Sequence, residues 1–202
     1  MGSGHIPVLL KQVTDNLVSE ETRLFVDATV GGAGHSVSIL DRYPRVALIA
    51  FDVDEEVLKI AGERLRPYGE RARLMKGNFR HLRANLTALG IDSCDAILMD
   101  LGLSTFQLEG GRGFSFLDEG PLDMRMDPEN PVTAYDVVNS YAYEDLKEIL
   151  REYGEEEKAP RIARAICDAR RAKPVATPKE LAQVVSKVKW RRGRIHPATK
   201  TF

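Results

Sequence analysis

Four places in the sequence combine residue types and spacing that can do chemistry, and each follows a short apolar run. The first is Phe25-Val26-Asp27-Ala28-Thr29-Val30-Gly31-Gly32-Ala33-Gly34-His35-Ser36. A Gly-rich turn after an apolar run lets main chain approach a ligand closely, because glycine has no Cβ to hold it away. Next comes Asp52-Val53-Asp54, about 20 residues on, the spacing at which nucleotide-binding folds place a ribose-binding acid. A carboxylate there can accept hydrogen bonds from both ribose hydroxyls. The third is Gly77-Asn78-Phe79, whose ring either contacts an adenine or packs in the core. The fourth is Leu98-Met99-Asp100-Leu101-Gly102.

Charge narrows the ligand class. Dinucleotide sites carry Gly-x-Gly-x-x-Gly, with a helix N-terminus against a pyrophosphate. Here the spacing is Gly31-Gly32-x-Gly34, with Asp27 just upstream. An acid beside the loop suits a cationic ligand, such as the amino group and sulfonium of S-adenosylmethionine, better than a pyrophosphate. The glycines alone also fit a plain tight turn, and Asp52 alone an exposed strand-end carboxylate. Methyl transfer from a sulfonium is an in-line displacement, in which orientation supplies much of the catalysis. Where the methyl acceptor is an amine, an acceptor for its N–H favours the reacting geometry. Amine methyltransferases often place Asp/Asn-Pro-Pro-aromatic after the fourth strand, where this chain has Asp100-Leu101-Gly102-Leu103-Ser104. Asp100 or a neighbouring carbonyl is the candidate acceptor, and Asp100 the candidate catalytic residue.

Positioning these segments requires buried strands. Residues 24–28, 46–51, 72–75 and 96–99 are short apolar runs that suit parallel strands covered on both faces. Between them lie helical patterns, such as the stripe Val57, Leu58, Ala61, Leu65 opposite Glu55, Glu56, Lys59, Glu63 and Arg64. The alternation predicts an α/β fold, a Rossmann-like doubly wound sheet with right-handed crossovers. All four chemical segments then fall at the carboxyl ends of strands, where open α/β sheets bind ligands. Residues 102–131 are rich in Gly, Pro and Asp and predict a long structured loop. Beyond Thr133 the pattern is helical over 143–153, 159–172 and 178–188, with Thr177 as an N-cap. The expected organisation is a Rossmann-like cofactor-binding core over 5–104 and a loop-rich, then helical insertion over 105–202. No strand pattern returns before Phe202, so the sheet reads as interrupted.

Bulk properties exclude several classes. The 202 residues are 43% hydrophobic and 29% charged with a net charge of -1, which argues against coating nucleic acid by charge alone. No apolar run approaches the roughly 18 residues that cross a bilayer. Met1-Gly2-Ser3-Gly4 reads as a cloning remnant rather than a signal peptide. Cys94 and Cys167 lie far apart, and four histidines are scattered, so neither disulfide framework nor metal site is expected. A reducing, cytoplasmic setting fits.

Longer strings carry a family likeness: His5-Ile6-Pro7-Val8-Leu9-Leu10, Gly34-His35-Ser36, Met99-Asp100-Leu101-Gly102, Arg112-Gly113-Phe114-Ser115-Phe116, Pro121-Leu122-Asp123-Met124-Arg125-Met126-Asp127, Tyr153-Gly154-Glu155-Glu156, Arg161-Ile162-Ala163-Arg164-Ala165-Ile166 and His196-Pro197-Ala198-Thr199-Lys200-Thr201-Phe202. The chain resembles the bacterial small-subunit ribosomal RNA cytosine-N4 methyltransferases (the RsmH, formerly MraW, family). The resemblance implies a class I S-adenosylmethionine-dependent methyltransferase sheet. The implied activity is N4-methylation of a cytosine in 16S ribosomal RNA (cytosine 1402 of the decoding region). It places cofactor contacts on Ala33, Gly34, His35, Asp52, Phe79, Asp100 and Gln107. Family members continue beyond the final Thr-Phe with a helix and further strands, so the sheet is expected to be incomplete here. The stretch Glu155-Glu156-Glu157-Lys158-Ala159-Pro160 departs from the family's basic-aromatic run and leaves the next helix start open.

The implied partner is 16S ribosomal RNA within the small ribosomal subunit, and homodimerisation stays open. Arg112 and Phe114 could supply a guanidinium and a ring for a target base unstacked from its neighbours. Asp123, Arg125 and Asp127 could instead form an internal network holding that loop. Arg191 and Arg192 belong to a basic stretch with Arg161, Arg164, Arg170, Arg171, Lys173, Lys187, Lys189, Arg194, Lys200 and Trp190. Such a stretch is either a phosphate-and-base surface or a solvated face. Competing functions are a nicotinamide-dependent oxidoreductase, a non-catalytic RNA-binding assembly protein and a DNA amine methyltransferase.

Overall fold

The computed structural model describes residues 7–103, 107–108, 110–190 and 195–202. The chain forms two compact units, divided after residue 104.

The first unit is built on β1 (Leu24–Asp27), β2 (Ala47–Asp52), β3 (Ala72–Lys76) and β4 (Ala96–Leu98). They form one sheet in the order β3-β2-β1-β4, and every pair is parallel. Register explains the unbroken apolar runs. Phe25 sits opposite Leu48 and Ala96, and Val26 opposite Ile49 and Ile97. Phe25, Leu48 and Ala50 pack with Ile39 and Leu40 of α2 (Gly34–Arg42) and with Ala61 and Leu65 of α3 (Glu55–Leu65). Val26, Ile49 and Phe51 take the opposite side and pack with Leu82 and Leu86 of α4 (Leu82–Ala88). Both faces of the central strands β1 and β2 are therefore covered, which is why these strands lack polar alternation, whereas Ile97 on the edge strand β4 is 42% exposed. The observed class is the expected α/β class. A further helix, α1 (Leu10–Leu17), packs against α2.

Strand order fixes where the site can be. β1 lies between β2 and β4, so the chain's progression across the sheet reverses there. The crevice at the carboxyl ends of strands on either side of such a reversal is the usual ligand position.

The second unit is helical in its described regular elements: α5 (Ala134–Ser140), α6 (Tyr143–Glu152), α7 (Ala159–Ala172) and α8 (Pro178–Val188). Leu146, Leu150, Ile162, Ile166, Leu181 and Val185 form its core. The expected cap at Thr177 is present: its hydroxyl accepts from Glu180 N, and Glu180 returns a bond to Thr177 N. Thr133 caps α5 in the same reciprocal way. α7 starts at Ala159 with Pro160 in its first turn, where a missing N–H costs nothing. The final segment is clamped onto this core. Phe116 stacks on His196 at 4.3 Å and meets Phe202 edge-on at 6.2 Å. Among the described residues no helix is long and apolar enough to cross a membrane.

Candidate active site

The turn between β1 and α2 is held by main chain and by one carboxylate. Val30 N donates to Phe51 O at 2.8 Å, Gly31 N to Asp52 Oδ2 at 3.0 Å, and Ala33 N to Val30 O at 2.7 Å. The turn is tight enough to need left-handed backbone at Gly31 (φ 50°) and at the buried Ala33 (φ 59°). For an alanine that conformation costs roughly 1–2 kcal/mol. Gly34 opens α2, and a Cβ there would lie 2.3 Å from Pro7 Cγ. Its lack of a side chain lets Pro7 lie against the loop.

Three carboxylates meet this loop. Asp27 is only 1% exposed. Ser36 Oγ donates to its Oδ2 at 2.6 Å and Thr29 N to its Oδ1 at 3.2 Å. Burial pushes the Asp27 carboxyl up to about 6, against the pull of those two bonds, with smaller repulsion from Asp52 and Asp100. Asp52 accepts Gly31 N on one oxygen and Asp54 N on the other, and burial raises it too. Asp100 is different: its side chain is 50% exposed. Its main chain is fixed, because Asp100 N donates to Thr29 Oγ1 at 2.8 Å and Ala28 N to Leu98 O at 2.9 Å. Among the described residues no Lys or Arg pairs with any of the three.

His35 stands against this acidic group. Its buried ring places Nε2 3.6 Å from Asp100 Oδ2, too long for a hydrogen bond, and among the described residues neither ring nitrogen has a hydrogen-bond partner. Burial holds its pKa below the usual histidine value despite the opposing pull of Asp100. Phe79 follows Gly77-Asn78 after β3. Gly77 N donates to Asp52 O at 2.9 Å, and Asn78 Oδ1 accepts Arg80 N at 2.9 Å, which starts a 3-10 turn with the Phe79 ring 43% exposed. Ala33, Gly34, His35, Asp52, Phe79 and Asp100 thus all lie at or just beyond the carboxyl ends of β1 to β4. Two further residues, Thr29 and Ser36, were not picked out by sequence reasoning. The hydroxyls near Asp27 were a weak signal, since Asp and Thr two apart commonly form a local turn. Only the β1–β4 pairing shows Thr29 holding Asp100.

The arrangement is a Gly-rich cradle walled by acids, and the profile of the MraW methylase family matches residues 2–202. The chain belongs to that family. Its curated relatives include three proteins named ribosomal RNA small subunit methyltransferase H. The one from Persephonella marina is 49% identical over 201 residues, covering 98% of this chain and 69% of its own. That from Carboxydothermus hydrogenoformans is 47% identical over 206 residues (100% and 66%). That from Finegoldia magna is 44% identical over 203 residues (98% and 65%). This chain therefore spans about two thirds of the length of these relatives.

The helical unit of this MraW-family chain holds the remaining candidates. Gln107 is buried there. Phe114 is buried as well, with the half-buried Arg112 guanidinium 5.8 Å from its ring centroid. In this arrangement the Phe114 ring is not open to a stacking base. Arg191 and Arg192 lie outside the described residues. Asp123 and Arg125 form a bidentate pair at 2.7 and 2.8 Å, and Arg125 also donates to Pro128 O and Asn130 O, each at 2.9 Å. Asp127 stands apart from that pair and accepts Glu129 N. Much of the basic stretch is engaged internally. Arg170 donates to Val138 O and Tyr141 O, Arg171 pairs with Asp168, Lys173 with Glu180, and Lys189 with the buried Glu156. Arg164 lies over the Tyr143 ring.

Proposed function

We propose that the chain carries the S-adenosylmethionine site of an enzyme that methylates the N4 amine of a cytosine in 16S ribosomal RNA of the small ribosomal subunit, cytosine 1402 by family likeness. The observation that carries the cofactor assignment is the convergence of Asp27, Asp52 and Asp100 on one Gly-rich turn without a paired cation. A sulfonium with an ammonium group relieves their mutual repulsion, whereas a pyrophosphate adds to it. The nicotinamide alternative is disfavoured on that ground. Family membership and the names of the relatives support the RNA substrate.

When bound, the cofactor supplies an electrophilic methyl group on sulfur. The chain's own residues then have separable tasks. Asp52 has one lone pair on each oxygen occupied by main chain, leaving the others to accept from ribose hydroxyls. Ala33, Gly34 and His35 line the turn against which the ligand rests, and Phe79 offers an exposed ring to the adenine. Asp100 is the half-exposed carboxylate, and its fixed main chain lets it accept the amine N–H and take the released proton at Oδ. The helical unit is assigned to RNA recognition, supported by the 82% exposed Trp190 ring, since exposed rings stack on bases.

The test is calorimetric titration with S-adenosylmethionine and with NAD, followed by transfer of labelled methyl to small ribosomal subunits. Saturable binding of the first alone, with label recovered in N4-methylcytosine, is the expected result. A folded chain that binds NAD instead, or neither ligand, would refute the assignment.

A further inference from the structure

Two arginines with no ion pair among the described residues, Arg80 and Arg83, stand close together in the first unit. The 3-10 turn Phe79–His81 runs straight into α4, and a surface groove of about 640 Å³ opens along it. Arg80, His81, Arg83, Ala84, Thr87 and Ala88 line it. The spacing is helical. Arg80, Arg83, Ala84, Thr87 and Ala88 recur at three- and four-residue intervals on one face, while Leu82 and Leu86 bury the other against Val26, Ile49 and Phe51. All six lining residues are exposed. Among the described residues neither the Arg80 nor the Arg83 guanidinium has an ion pair or a hydrogen bond.

The groove is also rigidly placed. Asn78 Oδ1 and O accept Arg80 N and His81 N, each at 2.9 Å. Gly77 seats the turn so closely that a Cβ would meet Asn85 Nδ2 at 2.8 Å and Phe51 at 3.0 Å. The groove therefore begins one residue after Phe79 on backbone tied to the end of β3. The small side chains of Ala84, Thr87 and Ala88 let an extended backbone approach the helix, and the two guanidiniums with the His81 imidazole provide donors for successive phosphates. Nothing acidic or large apolar lines it, so it suits a polyanionic chain rather than an apolar peptide.

We propose that this groove binds the phosphodiester backbone of single-stranded RNA flanking the target cytosine, giving the cofactor unit its own RNA contact. This rests on the RNA-substrate assignment above. The test compares the protein with its Arg80→Ala/Arg83→Ala and Arg80→Lys/Arg83→Lys variants. Fluorescence anisotropy follows binding of a labelled single-stranded oligoribonucleotide covering the target region as KCl is raised, with labelled polyglutamate run in parallel. Calorimetry with S-adenosylmethionine and circular dichroism are measured on every variant. We expect the alanine variant to keep its fold and cofactor affinity. Its slope of log affinity against log salt should fall by roughly 1.4, about 0.7 for each phosphate contact on a single strand, and the lysine variant should retain most of the slope. Unchanged RNA affinity and slope in the alanine variant would overturn the groove while leaving the RNA substrate standing. A parent protein that binds no RNA overturns both, and equal binding of polyglutamate overturns the choice of RNA.

Discussion

Ser36 Oγ donates to Asp27 Oδ2 at 2.6 Å, and both side chains are shielded from water. The bond joins the last residue of β1 to the first turn of α2 and so fixes the Gly-rich loop from below. It does not fully offset the burial of a carboxylate, because Asp27 still titrates near 6.

That imbalance sets a pH dependence of stability. The folded value, about 6, lies above the ordinary 3.8, so the native state holds the Asp27 proton more tightly than the unfolded chain. Asp27's contribution is fully present below about 3.8 and is lost as pH rises through about 6, a change of about 3 kcal/mol. An Asp27→Asn variant lacks this loss. Its melting temperature minus that of the parent should increase between about pH 4 and pH 7 in the absence of ligand. A difference that is flat with pH in calorimetric scans would contradict the assignment.

Asp100 should matter to turnover and little to folding. Its side chain is half exposed, and its anchoring bond to Thr29 uses main chain. Asp100→Asn should lower the methyl-transfer rate by about 100-fold or more, the usual scale for losing a general base, with an unchanged melting temperature. The same variant removes the charge that raises the His35 pKa. An NMR titration of the ring should therefore show His35 charging at still lower pH. A near-normal rate would exclude Asp100 as the proton acceptor.

Gly34→Ala tests the packing of the N-terminal segment on the loop. The new methyl would stand 2.3 Å from Pro7 Cγ, and forced overpacking typically costs about 1–3 kcal/mol. Adding Pro7→Ala removes the opposing atom, so the double variant should recover part of the lost stability in urea unfolding. No recovery would mean that the two residues do not press on each other.

In the helical unit, Glu156 is 2% exposed and pairs with Lys189 Nζ at 2.5 Å. Lys189→Met strands a buried carboxylate. We expect a loss of up to about 3 kcal/mol, the low end for breaking a buried pair, because Lys189 is itself partly exposed. Glu156→Gln combined with Lys189→Met should cost less than Lys189→Met alone, measured as urea midpoints at constant slope.

The parallel sheet was legible in the sequence, and so were the strand ends at which the candidate site lies. Apolar runs such as 46–51 suit buried strands, and their carboxyl ends carry the Gly-rich turn, Asp52, Phe79 and Asp100. Period, residue type and chain order are local properties, so they are legible one segment at a time. Thr177 as a helix cap was readable for the same reason, since its partner Glu180 is three residues away. Tertiary structure alone decided the rest. Thr29 holds Asp100 across 71 residues of chain, and no local pattern announces a bond made by strand pairing. Spacing left the basic stretch open between an RNA surface and a solvated face, whereas packing sets Lys189 on Glu156 and Arg170 on the carbonyls of Val138 and Tyr141, and among the described residues leaves Arg80 and Arg83 of the other unit unpaired. Whether a charge is spent internally or left for a partner depends on what packs beside it, which spacing along the chain does not encode.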